Sequence, residues 1–287
     1  MKKITGILPA LVALVLSACD TGSSIDTKLE IEPAKTNAIF APGAGQIPIP
    51  NDLLFGGTQD LTLNIPVADP LDESDPKVAM NALDGWSAVA PFAIAFRNSR
   101  NDGTDLDQST ILPGQTIRMF ETSVLRPEAI PGTGIIVPTG PVTGIVRELT
   151  PGVDFFAQYA GPLTVGVIPL KPLTPQANYM VVVTNGIKDT NGSPIVVDVQ
   201  YSFAKGPNPL GGSTAALEPV RQLVNAMEAA AEADAGIDKA SIVLSFQFTV
   251  QSVGDVVSSA KAFYLDFPAS QGAVPPTSFS SLMTDTT

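Results

Sequence analysis

The sequence predicts a mainly β protein, with an irregular N-terminal wrap, a β-sandwich and a small C-terminal α/β segment. The chain holds 24 glycines and 26 prolines with only 15% charged residues, a composition typical of turn-rich β proteins. Short β-branched runs alternate with Gly and Pro through residues 132–147, a spacing that favours short strands. After residue 213 the pattern changes to one apolar stripe with helical period and one strict period-two run.

The first part of the fold, residues 37–90, predicts a turn-rich wrap without a regular period. Pro48 and Pro50 each fix φ and push the preceding residue into an extended conformation. Asn51 and Asp52 follow, and their side chains favour a turn because they can bond to nearby backbone groups. This stretch therefore predicts structure rather than chemistry.

The wrap also supplies apolar anchors. Phe55, with two leucines before it, is expected to press onto a neighbouring core. Asp84 and Gly85 predict a second turn, which is followed by Trp86, the only tryptophan of the chain. Ser87 stands in the nearest approach to the Gly-x-Ser-x-Gly elbow of lipases, but the second glycine is missing. A structural turn that buries the tryptophan is the preferred interpretation, and a nucleophile elbow is the alternative.

Residues 91–205 predict the sandwich. Residues 172–194 join a Pro-rich turn, a β-branched strand and an Asp-Thr-Asn-Gly turn, and this pattern resembles the bacterial Ig-like domains of surface-layer and adhesin proteins. The full fold class is therefore an Ig-like β-sandwich with an irregular N-terminal wrap and a small C-terminal α/β segment. The predicted strands are residues 94–96, 116–121 and 179–184, and a last strand that ends at Phe203.

Residues 206–267 predict the α/β segment. Ser213 or Thr214 is expected to cap a helix that Gly236 ends. Residues 242–250 alternate with period two and predict a half-buried strand, and a short helix is expected around residues 253–260. Residues 268–287, rich in Pro, Ser and Thr, predict a linker. The apolar stripe of the helix consists of Leu217, Val220, Leu223, Val224 and Met227.

The N-terminus predicts export and lipidation. Residues 1–18 have a basic start and an apolar core too short to span a membrane, as in a signal peptide. Leu-Ser-Ala before Cys19 has the form of a lipobox, so Cys19 is the predicted lipidation site and residues 19–36 a flexible tether. An ordinary secretory signal with an incidental cysteine is the alternative. Asp20 leaves the membrane leaflet open, although the outer membrane or cell surface is the expected location.

Charge and residue content exclude several classes of function. The net charge of −12 repels phosphate backbones, so nucleic-acid binding is not expected. The chain has no histidine, so no Ser-His-Asp site and no His-based zinc site can form. Ser258 and Lys261 fit the short Ser-x-x-Lys pattern of penicillin-recognising enzymes, but the companion motifs are absent, and the polar face of a short helix is preferred.

Two acidic runs raise the question of metal binding. Asp102, Asp105 and Asp107 place three carboxylates in one loop, a weak calcium candidate because hard cations prefer oxygen ligands. The spacing is not that of an EF-hand, so no cofactor is the main expectation. The second run is expected to be a solvated loop and comprises Asp69, Asp72, Glu73 and Asp75.

The ordered motifs of residues 47–66 and 82–92 resemble the N-terminal signature of the bacterial virulence-factor lipases, which are extracellular lipase and lysophospholipase lipoproteins. The resemblance implies an α/β-hydrolase half beyond residue 287 and no catalytic residue in this chain. A free-standing Ig-like envelope module, such as an adhesin or scaffold, is the alternative. The structural signature positions that carry over are Pro48, Pro50, Asn51, Asp52, Phe55, Asp84, Gly85 and Trp86.

Overall fold

The computed structural model describes residues 35–57, 62–99, 102–126 and 139–254. Within these residues, eight strands form two four-stranded antiparallel sheets. The first sheet has the order β1-β2-β6-β5 and the second β4-β3-β7-β8. The strands are β1 (Thr36–Ala38), β2 (Phe92–Asn98), β3 (Ile117–Val124), β4 (Val142–Glu148), β5 (Phe155–Gly161), β6 (Thr164–Pro169), β7 (Asn178–Thr184) and β8 (Ile242–Thr249).

Three α-helices and several 3-10 turns complete the described residues. Helix α1 spans Pro76–Met80, α2 spans Val199–Lys205 and α3 spans Glu218–Ala235. Helix α3 packs against α2, β4 and β8, so it covers the outer face of the second sheet. The 3-10 helices are Pro42–Ala44, Asp52–Phe55, Gln108–Thr110, Gly212–Leu217 and Lys239–Ser241.

The two sheets share one hydrophobic core. Phe92 of β2 makes edge-to-face contacts with Phe246 and Phe248 of β8, with ring centroids 6.2 and 5.8 Å apart. Tyr179 of β7 stacks on Phe248 at 5.7 Å. The prediction of a mainly β fold is confirmed, and the two packed antiparallel sheets agree with an Ig-like sandwich.

Strand β7 has the predicted sequence and place in the chain, and all seven of its residues are buried. Strand β8 also lies where it was predicted, but the expectation that it is half-buried is wrong. All eight residues of β8 are buried because the first sheet packs on one of its faces and helices pack on the other. Because β8 pairs with β7, residues 91–205 and 206–267 contribute strands to the same sheet.

The predicted last strand that ends at Phe203 is wrong, because these residues form helix α2. Asp198 begins this helix, since its side chain accepts a hydrogen bond from the backbone N–H of Gln200 at 2.9 Å. Tyr201 and Ala204, three positions apart, then face the core from one side of the helix. The β-branched run before Asp198 therefore does not continue as a strand.

Helix α3 differs from its prediction at one end only. Neither Ser213 nor Thr214 caps it, since the chain first makes a 3-10 turn and the α-helix begins at Glu218 without a side-chain cap. Gly236 ends the helix as predicted, in the left-handed conformation with φ of 64°. Val224 and Met227 of the apolar stripe are buried against the chain's own fold.

Candidate functional site

The residues of the predicted signature meet at the C-terminal end of β8. The carboxylate of Asp52 accepts hydrogen bonds from the backbone N–H of Thr249 at 2.7 Å and from the Thr249 hydroxyl at 2.8 Å. It also accepts a hydrogen bond from the side-chain amide of Asn178 at 3.0 Å. Asn51 positions this carboxylate, because its side chain accepts from the N–H of Leu53 at 3.0 Å and starts the 3-10 helix.

Asp52 belongs to a buried polar network that crosses three strands. Asn178 of β7 also donates to the hydroxyl of Thr249 at 3.1 Å, and the hydroxyl of Thr122 on β3 donates to the Asn178 side chain at 2.7 Å. All four side chains are almost completely buried. Burial raises the pKa of the Asp52 carboxyl above its ordinary value, although the surrounding hydrogen-bond donors oppose this shift.

The second half of the signature, residues 84–86, also forms hydrogen bonds at the C-terminal end of β8. The N–H of Trp86 donates to the carbonyl of Thr249 at 2.9 Å, and the carbonyl of Trp86 accepts from the N–H of Gln251 at 2.8 Å. The carboxylate of Asp84 accepts from the N–H of Ser252 at 3.1 Å. We call this arrangement the exit clamp, and it comprises Asp52, Asp84, Gly85 and Trp86 around residues 249–252.

Gly85 has a steric reason to be glycine. A Cβ atom at this position would lie 2.6 Å from the backbone nitrogen of Gln251 and 2.8 Å from the carbonyl carbon of Val250. Real Cβ atoms do not approach backbone this closely, so any side chain would push the two segments apart. The glycine therefore allows the close pairing of Trp86 with Val250.

The remaining signature residues are buried within the protein. Pro48 and Pro50 are buried, and Phe55 belongs to the hydrophobic core. Ile49 lies between the prolines and forms an antiparallel bridge with Ala93 at the start of β2. The wrap thus touches the first sheet through Ile49 and the second through Asp52.

Ser87 forms a turn rather than a nucleophile elbow. Its hydroxyl accepts hydrogen bonds from the N–H groups of Val89 at 3.2 Å and Ala90 at 3.1 Å. The neighbouring Trp86 is buried, at 4% exposure. Both observations support the structural interpretation of this segment.

The acidic loops use their carboxylates for local hydrogen bonds. Asp105 accepts from the Tyr159 hydroxyl and from the N–H of Leu163 at 2.7 Å, and these bonds lower its pKa although desolvation, the largest influence, opposes them. Asp107 starts a 3-10 helix by accepting from the N–H of Ser109 at 3.0 Å, and Asp102 accepts from the N–H of Thr104 at 3.0 Å.

The second acidic run behaves in a similar way. Asp69, Asp72 and Asp75 each accept a hydrogen bond from the backbone N–H two positions later. Among the residues that the structure describes, no three Asp, Glu, His or Cys side chains are grouped so that they could hold a metal ion. Calcium binding by Asp102, Asp105 and Asp107 stays a prediction.

The family comparison matches residues 44–273 to the bacterial virulence factor lipase N-terminal family. This match covers most of the chain, the exit clamp included. The chain belongs to this family. No curated protein and no solved structure gives a significant match. The lipase N-terminal family is consistent with a scaffold role and with an extracellular or envelope-associated protein.

This lipase N-terminal chain also contains a second buried polar cluster that the sequence did not predict. Glu228 of α3 is fully buried, and its carboxylate accepts hydrogen bonds from the Tyr201 hydroxyl at 2.9 Å and from the Lys205 ammonium at 3.0 Å. The Tyr201 hydroxyl also lies 2.8 Å from the hydroxyl of Ser245 on β8. Burial raises the pKa of Glu228, and the two nearby lysines, Lys205 and Lys239, oppose this shift.

This cluster joins α2 and α3 to β8 rather than forming an accessible site, since Ser245 and Glu228 are both fully buried. One feature of the sequence could have predicted this buried cluster. Glu228 follows Val224 by four positions and therefore lies on the apolar face of the helix, where an unpaired carboxylate would be costly.

Several predicted residues lie outside the described part of the chain. These are Cys19 and the rest of the predicted signal and tether before residue 35, and Ser258 and Lys261 of the Ser-x-x-Lys pattern. The short helix expected around residues 253–260 also lies mostly outside it. Among the described residues, no helix is long and apolar enough to cross a membrane.

Proposed function

We propose that this chain is the non-catalytic N-terminal anchoring and scaffold region of a lipid-anchored bacterial extracellular lipase. In this proposal a Ser-His-Asp hydrolase domain follows residue 287 and hydrolyses lipid or lysophospholipid esters. The family match supports the assignment to such lipases. The absence of histidine from the sequence supports a non-catalytic role for this part, because a serine nucleophile at neutral pH needs a base.

The exit clamp is the observation that carries the proposal. Two segments of the family region, around Asp52 and around Trp86, converge on the end of β8, the last strand among the described residues. Backbone hydrogen bonds and a buried carboxylate fix the direction of the chain through residue 252. A scaffold that presents a following domain needs this kind of fixed exit, whereas an active site needs accessible reactive groups.

Esterase activity on a short p-nitrophenyl ester tests the proposal. We expect activity from the product of the complete reading frame and none above background from residues 19–287. A Ser→Ala change in the downstream Gly-x-Ser-x-Gly motif should abolish the activity of the longer product. Activity of the present chain that is lost in Ser87→Ala or Ser258→Ala would overturn the proposal.

A free-standing Ig-like module of the cell envelope is the second candidate function. The observation that favours it is the core that the two sheets share, which residues of this chain form. The coding sequence after codon 287 separates the two candidates. A Gly-x-Ser-x-Gly motif downstream supports the lipase, and a stop codon supports the binding module.

Lipid anchoring through Cys19 is the third part of the proposal. Attached acyl chains would hold the protein on the envelope, because each buried CH₂ group contributes about 0.8 kcal/mol. We expect radiolabelled palmitate to label the wild-type protein and not the Cys19→Ser variant. Fractionation of the inner and outer membranes then shows which membrane holds the protein, a question that Asp20 leaves open. Equal labelling of both proteins would contradict the anchor.

A further inference from the structure

The outer strands of the two sheets differ in what borders them. At β4, the N–H of Ile145 donates to the Asp234 carboxylate of α3 at 2.9 Å. At β1, the N–H of Val196 donates to the carbonyl of Thr36 at 2.8 Å, and at the end of β8 the N–H of Trp86 donates to a backbone carbonyl at 2.9 Å. The fourth outer strand is β5, and no strand of the described residues pairs with its outer edge.

Two residues of β5 turn their backbone groups toward this outer edge. The N–H of Leu170 donates to the carbonyl of Asp154 at 2.9 Å, so Asp154 and alternate residues after it face β6. The backbone groups of Ala157 and Tyr159 therefore face the opposite side. In the described part of the chain, no backbone hydrogen bond outside the strand ladders involves these groups. Unpaired N–H and C=O groups of this kind can bond to a strand of another chain.

A second copy of β5 fits this edge in an antiparallel register centred on Gln158. In that register a two-fold axis passes through Gln158, and Ala157 of each copy lies opposite Tyr159 of the other. All the unpaired groups of both copies then bond with one another. A register centred on Ala157 would place Tyr159 opposite Phe155, whose carbonyl already accepts a hydrogen bond from the N–H of Gly152 at 2.8 Å. The backbone therefore favours the centre at Gln158.

The side chains of β5 favour the same register. Residues directly opposite each other in two strands lie on the same face and in contact. Phe156, which is 41% exposed, would lie opposite Ala160 of the other copy, and Tyr159 would lie opposite Ala157. Each aromatic ring thus meets a small side chain. Strand β5 contains no charged residue, so no like charges face each other although each chain has a net charge of −12.

We propose that β5 joins two copies of this chain edge to edge, with Gln158 on the two-fold axis. The first sheets of the two copies then form one continuous antiparallel sheet. A register shift between Tyr159 and Gly161 ends the regular part of the strand, so the pairing covers only residues 156–160. This contact is much smaller than the roughly 20–30 residues a side of a standard interface. The dimer is therefore weak and dissociates on dilution.

Sedimentation equilibrium of the 287-residue chain tests this proposal. The change Cys19→Ser first removes the only cysteine and the predicted lipidation site. Between about 10 and 500 μM we expect a reversible equilibrium of monomer and dimer. Gln158→Lys should weaken the dimer about tenfold or more, because it places two like charges opposite each other on the axis. Ala95→Lys is the matched control, since Ala95 is exposed on the same sheet but lies on β2, away from the edge.

Disulfide cross-linking measures the register. Opposite residues at a non-hydrogen-bonded position have Cα atoms about 4.5 Å apart, a distance that a disulfide can span. In the Cys19→Ser chain under mild oxidation, Gln158→Cys should form a disulfide between two copies about tenfold faster than Ala95→Cys. A mixture of Phe156→Cys and Ala160→Cys chains should form the mixed dimer faster than either variant forms a dimer with itself.

Three results would overturn the proposal. A monomer at every concentration would show that β5 does not pair with itself. Equal effects of Gln158→Lys and Ala95→Lys, in variants whose Trp86 emission shows that they are folded, would place the interface elsewhere. A dimer of this chain that is absent from the product of the complete reading frame would assign the edge to a downstream domain. Because none of these measurements depends on ester hydrolysis, their failure is distinct from failure of the proposed lipase function.

Discussion

Asp52 and Thr249 lie 197 positions apart in the chain, yet the carboxylate of the first binds both the backbone N–H and the hydroxyl of the second. This pair joins the irregular wrap to β8, the last strand among the described residues. The wrap is therefore a structural part of the sandwich and not only a connection to the N-terminus. The stability of the module should depend on this buried contact.

Replacement of Asp52 by alanine tests that dependence. The change removes the acceptor for Thr249 and Asn178 and leaves buried donors without a partner, which should lower the free energy of unfolding by about 2–4 kcal/mol. Chemical denaturation measures the change. Asp69→Ala is the control, because this exposed carboxylate bonds only within its own loop. Equal effects of the two variants would contradict the role of Asp52.

Gly85→Ala should disrupt the other half of the exit clamp. The new methyl group would collide with the backbone of Gln251, so we expect a loss of about 1–3 kcal/mol from the displaced backbone. Trp86 is the only tryptophan, and its emission should shift to longer wavelength as it becomes exposed. Gly211→Ala is the control, since a Cβ there has no atom within 4 Å. An unchanged emission spectrum would argue against the close contact.

Lys205→Ala should destabilise the contact between the helices and β8. The change leaves the buried carboxylate of Glu228 without its nearest cation, a loss of about 3 kcal/mol for a pair of this kind. The double variant Lys205→Met/Glu228→Leu should recover most of that stability, because it removes both charges together. Urea denaturation of the single and double variants measures both values. A double variant that is no more stable than Lys205→Ala would contradict a paired buried charge.

Glu228 also predicts a dependence of stability on pH. Burial raises the pKa of its carboxyl in the folded protein above the ordinary value of 4.5, while Lys205, Lys239 and the Tyr201 hydroxyl lower it. The folded state therefore binds more protons than the unfolded state just above pH 4.5, and this contribution to stability falls as the pH rises through the folded pKa.

A comparison with Glu228→Gln isolates this contribution, because glutamine does not titrate. The free energy of unfolding of the wild type minus that of the variant should decrease as the pH rises from 4.5 and should then become constant. Denaturation between pH 4 and pH 8 gives the difference. A difference that increases with pH would mean that the lysines lower the folded pKa below that of the unfolded chain.

Local patterns were sufficient to predict much of the fold. The β-branched run of β7 and the period-two run of β8 each predicted a strand at the correct place. Gly236 predicted the end of α3 because a left-handed residue is needed there. The turn around Trp86 was also predicted, since Asp84 and Gly85 are turn residues.

Long-range contacts could not be predicted in the same way. The sequence shows that Asp52 follows a turn residue, but nothing near it indicates a partner on β8. Helix α2 was not predicted because the β-branched residues before it suggested a strand. The N-cap at Asp198 and the burial of Tyr201 favour a helix instead. Both faces of β8 are buried because α3 packs against it. The residue pattern of the strand alone does not indicate this contact.

The exit clamp also determines the order in which parts of the chain can form their contacts during synthesis. Asp52 leaves the ribosome 197 residues before Thr249, and Asp84 leaves it 168 residues before Ser252. At roughly 5–20 residues per second, the wrap waits about 10–40 s for the strand that it holds. Closing so long a loop is slow, since its entropy must be lost before the contacts form. The hydrogen bonds that hold the turns at Asp52 and Asp84 thus cannot form until β8 and the residues directly after it have been translated.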